Sequence, residues 1–223
     1  MVRIVPFQGT DVGFNSHRDY KNYLFNNQKQ TNIMSTKRQN ILTLAALPGI
    51  VALFAFSPET AKPMSELAER LLRDEHPTLS RGERELIAAG VSMMNDTEFC
   101  RRSHEAFAKY NFAKEGRPFE GLVKENAEPG SRANFITAIA VLTAQNVPEG
   151  VKEAALVALE KEALTEREIH DIVLIASAFC MYNRYVSCLD APVPQDDAAY
   201  EAMAEKIYNE GYIPSEVAEE VPA

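Results

Sequence analysis

Helix-start signals recur from Ser57 to Asp197, and they restrict the possible folds of this 223-residue chain more than any other feature. Two capping boxes, Ser80–Glu83 and Thr165–Glu168, pair a hydroxyl residue with a glutamate three positions later, which satisfies free N–H groups of a first helical turn. Pro148 adds a residue that is favoured at the first helical position. Because no segment shows sustained alternation of apolar and polar residues, the sequence predicts an all-α protein.

The segment 169–189 is apolar on nearly every side through its middle, which predicts a buried central helix or an oligomer contact. The stretch EREIHDIVLIASAF after the second capping box is similar in pattern to GERELIAAGVSMM after the first, and this indicates a duplicated helical hairpin. We interpret Met93, Met94 and Met181 in these segments as core-filling side chains.

Composition divides the chain into three parts. Residues 1–40 are polar and lack helical periodicity, so we expect a disordered or poorly ordered N-terminal extension, starting at Met1 or at an alternative Met34. Residues 41–215 are expected to form a helical domain, and residues 216–223 a C-terminal tail. The apolar run 41–56 is shorter than the ~20 residues that span a bilayer and is split by Pro48-Gly49. We interpret it as a buried loop and short helix rather than a signal sequence.

Charge and cysteine content argue against several classes of partner. The net charge of −9 and the pI near 5.1 disfavour a nucleic-acid partner, since nucleic-acid-binding surfaces are basic. No segment favours a membrane role. Three cysteines, at positions 100, 180 and 188, are too few and too scattered for a disulfide framework or a zinc site. We therefore expect a reducing, cytoplasmic setting.

Cys100, His104 and Glu85 carry the candidate chemistry. Cys100 and His104 are four residues apart, so they share one face of a helix. With Asp96 as the N-cap, Cys100 lies in the first turns, where the helix dipole and the two arginines that follow it favour the nucleophilic thiolate. Glu85, on the preceding helix, is placed to orient or deprotonate His104. Taken singly, they have simpler interpretations: a buried structural cysteine, a surface histidine and a glutamate that stabilises a helix start.

These residues, together with LSRGERELIAAGVS and REIHDIVLIASAFCMYNRYV, resemble the alkylhydroperoxidase D-like or carboxymuconolactone decarboxylase family, in its peroxidase-related branch. Glu85 matches the family's glutamate, Cys100 the second cysteine of its Cys-x-x-Cys pattern, and His104 its histidine. Thr97 stands where the family has the first cysteine. The resemblance extends over most of the chain.

The resemblance implies a helical bundle of the alkylhydroperoxidase D-like type, assembled as a homo-oligomer, with peroxiredoxin-type activity. In the family, two cysteines cycle between dithiol and disulfide while the glutamate and the histidine relay the proton. With Thr97 in the first cysteine's place, we expect hydroperoxide reduction through Cys100, with His104 and Glu85 as the proton relay and an external thiol as reductant. No metal or organic cofactor is expected.

Two alternatives stay open at this point. In one, the protein is a cofactor-free acid–base enzyme similar to carboxymuconolactone decarboxylase, in which His104 and Glu85 act and Cys100 only lines the pocket. In the other, it is a non-catalytic or redox-sensing oligomer, and Thr97 marks the loss of an ancestral dithiol. Activity that survives the loss of Cys100 distinguishes the first alternative, and negligible reactivity towards peroxide distinguishes the second.

Overall fold

A computed structural model describes residues 47–213, apart from residues 77, 120, 122–125 and 127. Within these residues the regular structure is helical, and no strand is present. The prediction of an all-α fold is therefore confirmed. The predicted N-terminal extension (residues 1–40), residues 41–46 of the apolar run and the predicted tail (residues 216–223) lie outside the described residues.

Eight helices have both ends within the described residues. Their bounds are α1 Gly49–Phe56, α2 Pro58–Leu72, α3 Arg81–Met94, α4 Glu98–Lys114, α5 Arg132–Ala144, α6 Pro148–Glu160, α7 Glu166–Cys188 and α8 Asp197–Glu210. The short helix predicted within the apolar run corresponds to α1, which is eight residues long. Among the described helices, none is long and apolar enough to cross a bilayer.

Both capping boxes form as predicted, whereas the start of α4 differs from its prediction. In α3, the N–H of Glu83 donates to Ser80 Oγ at 3.2 Å, and the N–H of Ser80 donates to Glu83 Oε2 at 2.9 Å. At α4 the N-cap is Thr97 rather than Asp96, and the Thr97 side chain caps no N–H group. Asp96 instead turns the chain between α3 and α4 at a φ of 51°, a left-handed conformation that aspartate adopts more readily than most residues.

The main core lies between α3, α5 and α7. Each of these helices buries an apolar stripe against the other two, and the buried side chains include Ile87, Ile139 and Ile175. Removing this apolar surface from water is the main favourable contribution to folding, at roughly 25 cal/mol per Å². The core therefore fixes α3 and α7, the two helices that flank the candidate site.

Several apolar side chains on the outer surfaces of α3 and α7 are more exposed to solvent than expected. Met93 and Met181 are 59% and 46% exposed, and Met94 is also exposed. The interpretation of these methionines as core side chains is therefore wrong. Leu174 is also exposed, so α7 is buried along one face only, and the predicted oligomer contact on its other face stays a prediction. A mixed apolar segment of this length buries one face and leaves the other for solvent or a partner.

A close approach of α3 to α4 positions the candidate site. Gly82 lies in the first turn of α3, and a Cβ atom there would come within 2.5 Å of the Phe112 ring on α4. Only glycine permits this contact, because any side chain would push the two helices apart. Glu85 follows Gly82 by three residues and so lies on the same face of α3. His104 lies two turns before Phe112 on α4, and the fold thereby brings Glu85 against His104.

Candidate active site

Glu85 and His104 meet in the interior of the bundle. The distance between His104 Nδ1 and Glu85 Oε2 is 2.6 Å. Glu85 is 1% exposed and His104 is 8% exposed, so water has little access to the pair. Electrostatic interactions and hydrogen bonds are stronger in such an interior than in water. The structure thus brings together two of the three side chains that the sequence singled out.

Tyr212, which follows α8, completes this cluster and was not predicted from the sequence. Its hydroxyl donates to Glu85 Oε1 at 2.6 Å, so both oxygens of the carboxylate are engaged. Burial raises the pKa of Tyr212 well above its usual value, and the negative charge of Glu85 acts in the same direction. The tyrosine therefore stays protonated and remains a hydrogen-bond donor over the ordinary pH range.

Aromatic rings enclose the imidazole of His104. Phe107 and Phe179 contact it edge-on, with ring centroids 5.2 Å and 4.6 Å away and interplanar angles of 73° and 87°. Tyr212 lies nearly parallel to it, at 6.5 Å and 22°. Edge-to-face and offset stacked arrangements are the favourable geometries for such rings. The enclosure restricts the imidazole to one orientation.

The hydrogen bonds of Glu85 define which nitrogen of His104 acts as a base. An ionised carboxylate only accepts hydrogen bonds, so it takes one from Tyr212 Oη–H and one from His104 Nδ1–H. In that tautomer Nε2 carries a lone pair and no proton. The arrangement can therefore accept a proton at Nε2, while Glu85 stabilises the imidazolium that forms.

Cys100 lies in a different environment from the one predicted for it. Its side chain is 4% exposed and packs in an apolar cluster with residues that include Leu53 of α1 and Val186 of α7. Burial raises the pKa of the Cys100 thiol from 9.0 to about 11, and a hydrogen bond with the Asn183 side chain opposes this only in part. The expected stabilisation of the thiolate is therefore wrong for this structure, in which Cys100 is a thiol at neutral pH.

The arginines after Cys100 do not support a thiolate because carboxylates engage them. Arg101 pairs with Glu105 at 3.3 Å, and Arg102 pairs with Asp197 at 2.6 Å. Arg102 also donates to backbone carbonyl oxygens in the loop before α8. Within the described part of the chain, the Cys100 sulfur makes no hydrogen bond to His104. Cys100 and His104 share one helix, but the structure does not join them directly.

Asn183 organises the polar contacts around the cysteine. It is fully buried, its Nδ2 donates to Ser92 Oγ at 2.9 Å, and its Oδ1 accepts from Asn95 Nδ2 at 2.9 Å. The hydrogen bond with Cys100 brings a third helix into this network. Asn183 is therefore an internal hydrogen-bonding residue that joins α7 to α3 and α4.

The position of the missing cysteine is filled by a buried threonine, whose hydroxyl pairs with that of an exposed serine. Thr97 lies at the start of α4, and its Oγ1 is 3.0 Å from Ser187 Oγ. Neither Cys180 nor Cys188 forms a disulfide with Cys100 in this structure. Among the described residues no group of three or more His, Cys, Asp or Glu side chains is arranged to hold a metal ion. The expectation of a cofactor-free site stays a prediction.

The fold and the site define an all-α protein with a buried carboxylate–imidazole pair beside a buried cysteine. Residues 58–120 match the model of the carboxymuconolactone decarboxylase family, and this region contains Glu85, Cys100 and His104. This match supports the family predicted from the sequence over residues 58–120, and the chain carries a carboxymuconolactone decarboxylase-family region there.

The fold is also similar to a solved structure, the crystal structure of an uncharacterized peroxidase-related protein from Silicibacter sp. TM1040. The TM-score is 0.57 and the sequence identity 23%, and the match covers 79% of this chain and 89% of that one. A similarity at this level concerns the fold. A search among curated proteins found no match.

Proposed function

We propose that this protein is a thiol-dependent peroxidase in which Cys100 reduces a hydroperoxide and His104 and Glu85 move the proton. The observation that carries the proposal is the 2.6 Å contact between Glu85 and His104 in a family-matched region, one helical turn from Cys100 on α4. A thiol with a pKa of about 11 is a poor nucleophile at neutral pH, because the thiolate is the reactive form. A base beside it is therefore required, and His104 is the candidate.

The proposed reaction begins when the Cys100 side chain moves towards His104 and transfers its proton to Nε2. The resulting thiolate attacks one oxygen of the hydroperoxide, the O–O bond breaks, and sulfur is oxidised to a sulfenic acid. The other oxygen leaves with the proton held by His104, as an alcohol or water. One external thiol then forms a mixed disulfide with Cys100 and releases water, and a second external thiol restores Cys100 and leaves as the oxidised disulfide.

The test compares cysteine variants of the full chain. Purified protein with a hydroperoxide and a small thiol is expected to consume peroxide, and dimedone is expected to label Cys100 after peroxide treatment. Cys100→Ser should abolish turnover, while Cys188→Ser, a change at an exposed cysteine, should retain it. Equal turnover by Cys100→Ser and the unmodified chain would rule the peroxidase out.

A second candidate is a cofactor-free acid–base enzyme similar to carboxymuconolactone decarboxylase. The observation that favours it is that Glu85, His104 and Tyr212 form their cluster without the sulfur, which is held apart as a thiol. His104 Nε2 would then exchange a proton with a carbon acid such as a carboxylated lactone. This activity should survive Cys100→Ser and be lost in His104→Gln, the reverse of the expectation for Cys100 in the peroxidase.

We further propose that the protein is a homo-oligomer in the cytoplasm. Exposed apolar side chains on α7, with Met181 and Leu174 among them, support an oligomer contact, since burial of such surface favours association. The small number and wide spacing of the cysteines support a reducing compartment. Light scattering during size-exclusion chromatography tests the assembly, and Met181→Lys is expected to shift it towards a smaller species.

A further inference from the structure

We infer that Tyr212 is a positioning residue of this site, and that α2 and Gly211 hold it in contact with Glu85. This inference rests on the proposed role of the Glu85–His104 pair as the proton relay. Tyr212 touches neither sulfur nor substrate in the proposed reaction. It acts through Glu85, because its hydroxyl occupies Oε1 and thereby leaves Oε2 as the oxygen that faces His104 Nδ1.

The hydroxyl of Tyr212 fixes the carboxylate in a plane. A carboxylate that is bound at one oxygen only can rotate about its last side-chain bond, which is a soft torsion. Hydrogen bonds at both oxygens remove that freedom, and each is short, at 2.6 Å. The Nδ1–H tautomer of His104 is favoured for as long as Oε2 stays in place. Tyr212 therefore controls which nitrogen of His104 is free to accept a proton.

The backbone around Tyr212 is held by α2. The N–H of Tyr212 donates to Glu69 Oε2 at 2.8 Å, and the other oxygen of Glu69 pairs with Arg73 at 2.5 Å. Arg73 in turn donates to the carbonyl oxygen of Tyr208 at 3.0 Å, at the end of α8. Arg73 and Tyr208 are 135 residues apart in sequence, and Glu69 and Tyr212 are 143 residues apart. They tie the segment after α8 to α2, and this contact carries the tyrosine ring to His104.

Gly211 forms the turn that orients the Tyr212 side chain towards the interior of the bundle. Its φ is 90° and its ψ is −175°, a conformation that essentially only glycine adopts. A Cβ atom at this position would lie 2.3 Å from Arg73 Nη1 and 2.7 Å from Glu69 Oε2. Any other residue would thus strain the backbone and separate the pair that holds the Tyr212 N–H. A substitution at Gly211 disturbs Tyr212 without altering any side chain of the relay.

The test uses nitrogen and proton NMR of His104 in the full chain, which reads the tautomer directly and does not depend on activity. The unmodified protein should have a protonated Nδ1 and an unprotonated Nε2, with slow exchange of the Nδ1 proton. In Tyr212→Phe, which keeps the ring and removes the hydroxyl, that proton should exchange about 10- to 100-fold faster, and the Nε2–H tautomer should become populated. Gly211→Ala should have the same effect.

Matched controls separate positioning from general disturbance. Tyr110→Phe removes a hydroxyl from another packed tyrosine on α4, and Gly116→Ala adds a methyl group at a positive φ of 71° where no atom lies within 4 Å. Both should keep the tautomer of the unmodified protein. If Tyr212→Phe also keeps it, with slow exchange, Tyr212 is not a positioning residue.

Kinetics distinguishes this inference from the proposed function. If the peroxidase is real, Tyr212→Phe should lower kcat about 10-fold or more and change its pH profile, with little change in KM. Absence of peroxidase activity in the unmodified protein would overturn the proposed function, while the NMR result would still decide the role of Tyr212. An active Tyr212→Phe variant with an unchanged pH profile would overturn the positioning role alone.

Discussion

Two neighbouring parts of the site provide opposite environments for their ionisable groups, one polar and one apolar. Around Glu85, every acceptor is met by a donor: Tyr212 at one oxygen and His104 at the other. Around Cys100, apolar side chains dominate, and its polar partner among the described residues, Asn183, does not offset the cost of burying a thiolate. One region is organised to hold charge and the other to hold a neutral thiol.

The contrast explains how a cysteine can be kept inactive next to a base. A shift of the Cys100 pKa from 9.0 to about 11 corresponds to about 3 kcal/mol against the thiolate. The relay can offset that cost only when sulfur and imidazole meet. The two regions are therefore expected to function together only after a local movement of the Cys100 side chain.

The largest effect is expected when the hydrogen-bonded cluster around Glu85 is removed. Glu85→Ala leaves a buried imidazole and a buried hydroxyl without their shared partner, and it should lower the free energy of unfolding by about 3–5 kcal/mol. It should also abolish turnover. Urea denaturation followed by circular dichroism measures the change in stability.

A carboxylate on the surface of α4 provides the control for Glu85. Glu105 pairs with Arg101 and Lys109, and all three side chains are substantially exposed to solvent. Glu105→Ala should therefore change stability by less than about 1 kcal/mol. Equal effects of the two substitutions would mean that the Glu85 cluster is no different from a surface ion pair.

The next effect tests the network around the thiol. Asn183→Ala removes hydrogen bonds to Ser92, Asn95 and Cys100 in the interior, and we expect a loss of about 2–4 kcal/mol. It should also slow the alkylation of Cys100, because the side chain that favours the thiolate is gone. Denaturation and iodoacetamide labelling measure the two effects. Ser177→Ala, at an exposed hydroxyl that bonds only within α7, is the control, and it should change neither.

A third prediction concerns alkaline pH. Because burial raises the folded-state pKa of Cys100 to about 11 from an ordinary 9.0, folding favours the neutral thiol. This contribution is fully present below pH 9 and is lost as the pH rises through about 11. It amounts to about 3 kcal/mol.

The comparison of the unmodified chain with Cys100→Ser isolates this contribution. The difference in their free energies of unfolding should shrink by about 3 kcal/mol between pH 8 and pH 12, since serine does not ionise there. Alkylation of Cys100 should likewise keep rising beyond pH 9, whereas an ordinary thiol levels off. A constant difference between the two proteins across this range would contradict the described environment of the sulfur.

Sequence reasoning predicted those features of the two regions that are determined by local patterns. The capping box Ser80–Glu83 and the four-residue spacing of Cys100 and His104 act within single helices, so the helices and the shared face were predictable. The meeting of Glu85 with His104 was also expected, because one tight turn joins their helices. In each case the determinants lie within about twenty residues of one another.

The remainder depends on contacts between distant segments. Tyr212 reaches Glu85 from 127 residues away, and no local pattern marks it, because it lies outside a helix, two residues after the end of α8. The thiol environment depends on Leu53, Val186 and Asn183, which come from α1 and α7. The dipole argument for a thiolate was sound for an isolated helix, but the burial of Cys100 by these other helices outweighs it.

The smallest effect on stability, and a sharp effect on chemistry, is expected from Thr97→Cys. Thr97 is buried, and its hydroxyl loses its contacts with Ser187 Oγ and with the Asn95 carbonyl oxygen, so stability should change by about 1–2 kcal/mol. The new thiol lies one turn before Cys100 and should condense with its sulfenic acid after peroxide treatment, forming a disulfide and releasing water. It thereby replaces the first external thiol, while an external reductant is still needed to reduce the disulfide. The number of free thiols found by titration should then fall by two per chain.

Thr143→Cys provides the control. It adds a thiol on α5, away from the site, and should form no such bond. If Thr97→Cys keeps all of its thiols in peroxide, the apolar region around Cys100 shields the sulfur from oxidation, and the contrast between the two regions extends to reactivity as well as charge.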